Sequence, residues 1–162
     1  MTPIRTQADD ELRMIIAQPS GWEQTTVPDF ELFRFAMVNR SLIANDFATI
    51  ATVLLESEAG RKDPTSVFDK IRKSLVTVAG ATDLVATDGT LCGHTAQTIH
   101  YAMPARGRAP VHSATDVTAV VHTNGNTYAA SLGIQTAVAI DPVYQRDAEA
   151  ILTGFQVLAP TG

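Results

Sequence analysis

The hydrophobic pattern along the chain changes period several times, and each change marks an element. "LRMIIA", Leu12–Ala17, is a short apolar run that stops at Pro19 and Gly21 and reads as a first strand. "FELFRFAMV", Phe30–Val38, is dense in aromatic and apolar residues and reads as a second. "NRSLIANDF" mixes polar and apolar positions and reads as a loop. In "ATIATVLLESE", Ala48–Glu58, Ile50, Thr52 and Leu54 fall on one face and Ala51, Val53 and Leu55 on the other. Both faces are largely apolar, which predicts a central strand covered on both sides.

The period then lengthens. In "DPTSVFDKIRKSLVTVAG", Val67, Ile71, Leu75 and Val78 recur at helical spacing, joined by Phe68. Asp63 suits an N-cap, and Pro64 suits the first helical position, where its missing N–H costs nothing. Arg72 and Lys73 lie toward the favourable end of the helix dipole, and Gly80 predicts the stop. Four strands in two hairpins follow. "TDLVATDGTLCG" carries Asp88-Gly89, a two-residue turn signal. "HTAQTIHYAMPA" alternates, with Ile99, Tyr101 and Met103 on one face. "PARGRAP" predicts a loop clear of the sheet. "HSATDVTAVVH" and "TYAASLGIQTAV" flank a second turn signal, Asn124-Gly125. A last helix starts at Asp141-Pro142 with an apolar stripe of Ala148, Ile151, Leu152 and Phe155, and the tail "FQVLAPTG" fades out. Hairpins with helices set between them predict an α+β fold, an antiparallel sheet of about seven strands with two main helices packed on it.

The second hairpin raises the one catalytic question. With Asn124-Gly125 as the loop, Val121 faces Tyr128, Ala119 faces Ala130 and Val117 faces Leu132, all on a core face. His122, Ser131 and Asp116 share the other face. Ser131 then sits opposite Thr118, four positions along the strand from His122, or ~13 Å, against the ~3 Å that a nucleophile and its base require. His122 is therefore expected to be a partly exposed strand histidine. His94, His100, His112 and His122 form no close ligand pair, and neither a phosphate-cradling glycine loop nor a G-x-S-x-G elbow occurs. No catalytic residue, metal ligand or cofactor site is expected. Glu56, Glu58, Asp9, Asp10 and Glu11 read as solvated charges. Asn39-Arg40-Ser41 matches a glycosylation sequon of a kind common by chance, and Trp22, Tyr101 and Tyr128 read as core aromatics rather than a pocket lining.

The bulk numbers narrow the rest. A chain of 162 residues suits one domain, here 1–162 with a core over about 12–159. Net charge is −5, which disfavours nucleic acid as a partner; Arg61-Lys62, Arg72-Lys73 and Arg106/Arg108 read as solvated surface. The sole cysteine, Cys92, reads as an inert buried thiol. No apolar run reaches the roughly 18 residues of a membrane span. "MTPIRTQADDELRM" lacks an apolar signal region, so the chain reads as cytoplasmic unless a targeting segment precedes it.

Several segments, taken in order, look familiar. "QPSGWEQ" resembles the P-x-x-W opening of the LpqN/LpqT lipoprotein family and of the mycobacterial proline-rich secreted antigen. "FATIATVLLESEAGRKDPTSVFDKI" is similar to that family's strand, polar stretch and Asp-Pro-initiated helix. "GTLCGHTAQTIHYAM" resembles its glycine-containing strand pair, and "DAEAILTGFQVLAP" is similar to the antigen's terminal helix. The resemblance covers about Ile15 to Ala159. It implies a PsbP/Mog-like fold, an α-β-α sandwich, and an actinobacterial envelope lipoprotein or secreted protein without a known catalytic set. Cys92 lies mid-chain, out of place for a lipid anchor. The resulting expectation is a non-enzymatic envelope or secreted accessory module that binds a protein partner or an amphipathic, glycolipid-like ligand. The alternatives are a small hydrolase with a cross-strand histidine site and a structural or oligomerising protein.

Overall fold

The computed structural model describes residues 1–27 and 31–160. The chain runs β1 (Thr2–Ile4), β2 (Arg13–Ile16), β3 (Glu23–Gln24), β4 (Phe33–Ala44), β5 (Phe47–Ala59), α1 (Pro64–Thr77), β6 (Thr82–Leu91), β7 (His94–Met103), β8 (His112–Thr123), β9 (Asn126–Thr136), α2 (Pro142–Gly154) and β10 (Gln156–Leu158). Seven strands form an antiparallel sheet in the order β3-β4-β5-β9-β8-β7-β6, and β1-β2-β10 form a small second sheet. This is the expected α+β arrangement. Membership of the large sheet differs from the expectation: β2 belongs to the small sheet, and the two-residue β3 takes the edge beside β4. The tail does not fade out, because Gln156–Leu158 pairs with β2.

Two turns stand where the sequence reading did not put them. "NRSLIANDF" is not a loop. β4 continues to Ala44, a register shift between Asn39 and Ile43 hides its alternation, and Asn45 and Asp46 reverse the chain at φ 51° and 62°. Short polar side chains tolerate that left-handed backbone better than most. Asp88-Gly89 is not a turn either. Both residues sit inside β6, opposite Gln97 and Ala96, and the reversal falls at Cys92-Gly93. Cys92 is therefore exposed in a hairpin turn rather than buried in a strand. The second strand's expected start, Phe30, lies outside the described residues.

Both Asp-Pro devices work as the sequence predicts. Asp63 accepts the Thr65 N–H at 2.9 Å and Asp141 accepts the Val143 N–H at 2.8 Å, each capping a helix that opens with proline. The helices cover opposite faces. Tyr144, Ala148 and Ile151 of α2 join β2, β10 and the inward residues Ala51, Val53, Ala119, Ala130 and Leu132 in the main core. On the other face, Ile71 and Leu75 of α1 pack on Ile99, Tyr101 and Ala114. Only Phe68 of α1 is buried, and Val78 is exposed. β5 is central but unevenly covered: Ala51, Val53 and Leu55 are buried, while Ile50, Thr52 and Leu54 are half-buried.

Candidate functional site

The start of α1 is sewn to the β8–β9 hairpin. The Lys62 N–H donates to Thr127 Oγ1 at 2.8 Å, and that hydroxyl donates to the Gly60 carbonyl at 2.8 Å. His122 Nε2 donates to the Lys62 carbonyl at 2.6 Å. His122 is thus a half-buried strand histidine whose ring holds the helix entry in place. The helix leans over β7 and β8, and its other flank stands away from β5 and β9. The gap is a groove of about 160 Å³. Val67, Ile71 and Ala129 give it apolar walls, and Glu56, Glu58, Lys62 and Lys70 stand around it. At the mouth, Lys70 Nζ donates to Glu58 Oε1 at 2.9 Å, and this bond holds the Glu58 carboxyl below the usual glutamate value. A wider, polar cleft of about 450 Å³ opens at the same end of α1, among Arg61, Lys62, Asp63, Thr95 and His122.

Beside the groove, two polar rungs cross the same sheet face. In one, the Thr118 and Ser131 hydroxyls meet at 2.8 Å, and Gln97 lies opposite Thr118. The Gln97 Oε1 is buried without a hydrogen-bond partner. In the other, the Tyr101 hydroxyl donates to Asp116 Oδ2 at 2.8 Å. Burial pushes the Asp116 carboxyl up to about 6, against which the Tyr101 bond acts only partly. Burial, and then the Asp116 charge, raise the Tyr101 phenol. Asp116 fits because residue 133 is glycine: a Cβ there would stand 2.7 Å from Asp116 Oδ1.

Ser131, His122 and Asp116 do share one face, in the predicted register of Thr118 with Ser131 and His122 with Thr127. They are not brought together. Ser131 bonds Thr118, Asp116 bonds Tyr101 and His122 bonds a backbone carbonyl. Two of the other histidines also have local partners. His100 Nδ1 meets Thr115 Oγ1 at 2.9 Å, and His112 donates from Nδ1 to the Pro110 carbonyl at 2.7 Å while stacking on Phe47. Among the described residues, no three of His, Cys, Asp and Glu are grouped to hold a metal ion. Trp22 and Tyr128 are core residues, and Trp22 Nε1 donates to the buried Asp147 carboxylate at 2.9 Å. Asp9 and Asp10 are exposed as expected. Glu11 is not: it is buried in an ion pair with Arg34 at 2.7 Å. Asn39 of the sequon is buried, and its Oδ1 accepts the Ser41 N–H at 2.9 Å. The sequence reading assigned no residue to the groove, and it missed the Asp116–Gly133 contact. A lone glycine inside a strand, as in "SLGIQ", is the signal that marks such a close approach.

No protein-family model matches the sequence, and no curated protein does. Among solved structures, the fold is similar to that of LpqN, whose crystal structure is described as that of a protein involved in cell envelope biogenesis of Mycobacterium tuberculosis. The TM-score is 0.76, over 97% of this chain and 90% of that chain, at 14% sequence identity. At that identity the likeness is one of fold.

Proposed function

We propose that the chain is a non-catalytic accessory module of the cell envelope or the secreted space, related to the LpqN/LpqT family, that holds an amphipathic ligand in the groove between α1 and the sheet. The groove carries this reading. Its about 160 Å³ is close to the ~150 Å³ of a cavity that takes up benzene, so it suits a short hydrocarbon segment rather than a whole lipid. Val67, Ile71 and Ala129 suit the hydrocarbon, and the Glu58–Lys70 pair at the mouth suits a polar head. The non-catalytic part is supported by the separate partners of Ser131, Asp116 and His122. The envelope part is supported by the fold shared with LpqN.

Titration with a dansyl-labelled undecanoate tests the groove. Saturable binding is expected, weakened at least about tenfold by Ser66→Trp, which fills the groove from the exposed side of α1. Absence of saturable binding, or equal affinity in that variant, would refute the ligand reading. Recovery of the native chain with cytosolic markers on cell fractionation would refute the envelope reading.

A further inference from the structure

Among the described residues, six of the eight exposed large hydrophobics gather together; the other two are Met1, ahead of β1, and Val85, inside β6. Ile43 lies at the β4–β5 hairpin, Val76 and Val78 where α1 ends, Val111 just before β8, and Ile140 and Val143 where α2 begins. The antiparallel register brings all of these segments to one end of the large sheet. Ala44 pairs with Phe47 at the start of β5, Met103 with His112, Ser113 with Thr136, and Thr82 with Ala102. Side-chain contacts tie the same segments together. Phe47 stacks on His112 with ring centroids 4.3 Å apart, Thr49 and Thr136 hydroxyls meet at 2.8 Å, and a Cβ on Gly80 would stand 3.4 Å from the Pro104 ring. The opposite end, with the Cys92-Gly93 and Asn124-Gly125 turns and Arg61-Lys62, presents polar tips.

These aliphatic side chains stand on separate segments: Ile43 near the end of β4, Val76 and Val143 in the helices, and Val78, Val111 and Ile140 in connections. Ile140 is 89% exposed, Val78 75% and Val111 68%. Six exposed aliphatic side chains gathered at one end of a sheet point to an interaction site. The chain carries a net −5, yet the strand ends and loops at this end set Arg40, Arg106 and Arg108 against Asp46, Asp83 and Asp141 and so add no net negative charge. Asp141 is occupied in capping α2, whereas Arg106 and Arg108 are exposed on the loop that carries Val111. Aliphatic tips flanked by free guanidinium groups fit the boundary between acyl chains and anionic headgroups. No helix among the described residues is long and apolar enough to cross a membrane, so contact of this kind is peripheral.

We propose that this end of the sheet docks onto an anionic lipid surface, with Ile140 and Val111 entering the interface and Arg106 and Arg108 contacting headgroups. The proposal does not rest on the groove, and the groove-filling Ser66→Trp should leave it intact. The test is sedimentation of the full chain with vesicles of phosphatidylcholine mixed with phosphatidylglycerol. Binding is expected to fall at least about tenfold in Val111→Asp/Ile140→Asp. It should fall by about fivefold per arginine removed in Arg106→Gln/Arg108→Gln, and with added salt. Position is read by tryptophan emission. Ile140→Trp should shift to the blue on adding vesicles, and Thr90→Trp, at the far end of the sheet, should not. No sedimentation, or equal shifts at both positions, overturns the proposal. So does a blue shift of Ile140→Trp on concentrating the protein without lipid, which would make this end a contact between copies.

Discussion

Replacing Asp116 by asparagine removes one titrating group and little else. The amide has the same shape, and its oxygen can still accept the Tyr101 hydroxyl, 2.8 Å away in the native chain. Burial raises the native carboxyl from 3.8 to about 6. The folded chain therefore binds that proton more tightly than the unfolded chain does. Stability from this group is greatest below 3.8, falls as pH climbs toward about 6, and stays at the lower level above it. An interval of about two pH units corresponds to roughly 3 kcal/mol at 1.36 kcal/mol per unit. The asparagine variant carries none of this cost. Its stability relative to the native chain should improve by roughly 3 kcal/mol between about pH 3 and about pH 7. Urea unfolding followed by the emission of the sole tryptophan, Trp22, measures both proteins at each pH. The other carboxylates cancel in the difference. Tyr101→Phe removes the bond that lowers the Asp116 pKa, so its pH-dependent loss should extend to higher pH. A native–variant difference that stays constant across the range would refute the account of Asp116 as a buried, costly carboxylate.

Gly133→Ala should destabilise the chain by about 1–2 kcal/mol, because the new Cβ meets Asp116 Oδ1 at 2.7 Å and the gain from a stiffer unfolded chain offsets only part of that clash. In an Asp116→Ala background the same change should be neutral or stabilising, and a double-mutant cycle by thermal unfolding checks it. Asp147→Ala strands the buried Trp22 N–H and should cost about 1–3 kcal/mol, whereas Asp147→Asn, which keeps an acceptor, should cost less; urea midpoints separate the two. Cys92 should react with a maleimide in the folded chain as readily as in urea, and protection in the folded chain would place it elsewhere than in an exposed turn.

What the sequence reveals and what it hides divide along the line between local and distant forces. The Asp-Pro starts of α1 and α2 are legible because an N-cap and a proline act within one turn. Asn124-Gly125 is legible for the same reason, and with it the face on which Ser131, Asp116 and His122 lie. Asp88-Gly89 carries an equally good local signal and is overruled. A turn there would leave the far half of β7 unpaired on that side, whereas Cys92-Gly93 lets β6 and β7 pair from Leu91 with His94 back to Thr82 with Ala102. The longer ladder prevails over the better turn. β10 is hidden differently: three residues earn strand status only through β2, a partner more than a hundred positions away. Glu11 is hidden because the Arg34 that makes its burial tolerable lies on β4, while Glu11 itself precedes β2.

The groove follows from covering a wide sheet with one helix. Seven strands about 4.8 Å apart span roughly 30 Å, and a helix with its side chains is about 10 Å across. α1 can therefore shield about two strands, and Ile71 and Leu75 commit it to β7 and β8. The opposite face has α2 and a three-stranded sheet to close it, which is why its inward positions, Ala119, Ala130, Leu132 and Val53, are wholly apolar and buried. The thinly covered face carries polar residues instead: Thr118 with Ser131, Asp116 with Tyr101, and half-buried Thr52 and Gln135. The alternation along β8 and β9 thus encodes more than strand character. It records which face of the sheet has a second layer, and a binding groove follows at the margin where that layer ends.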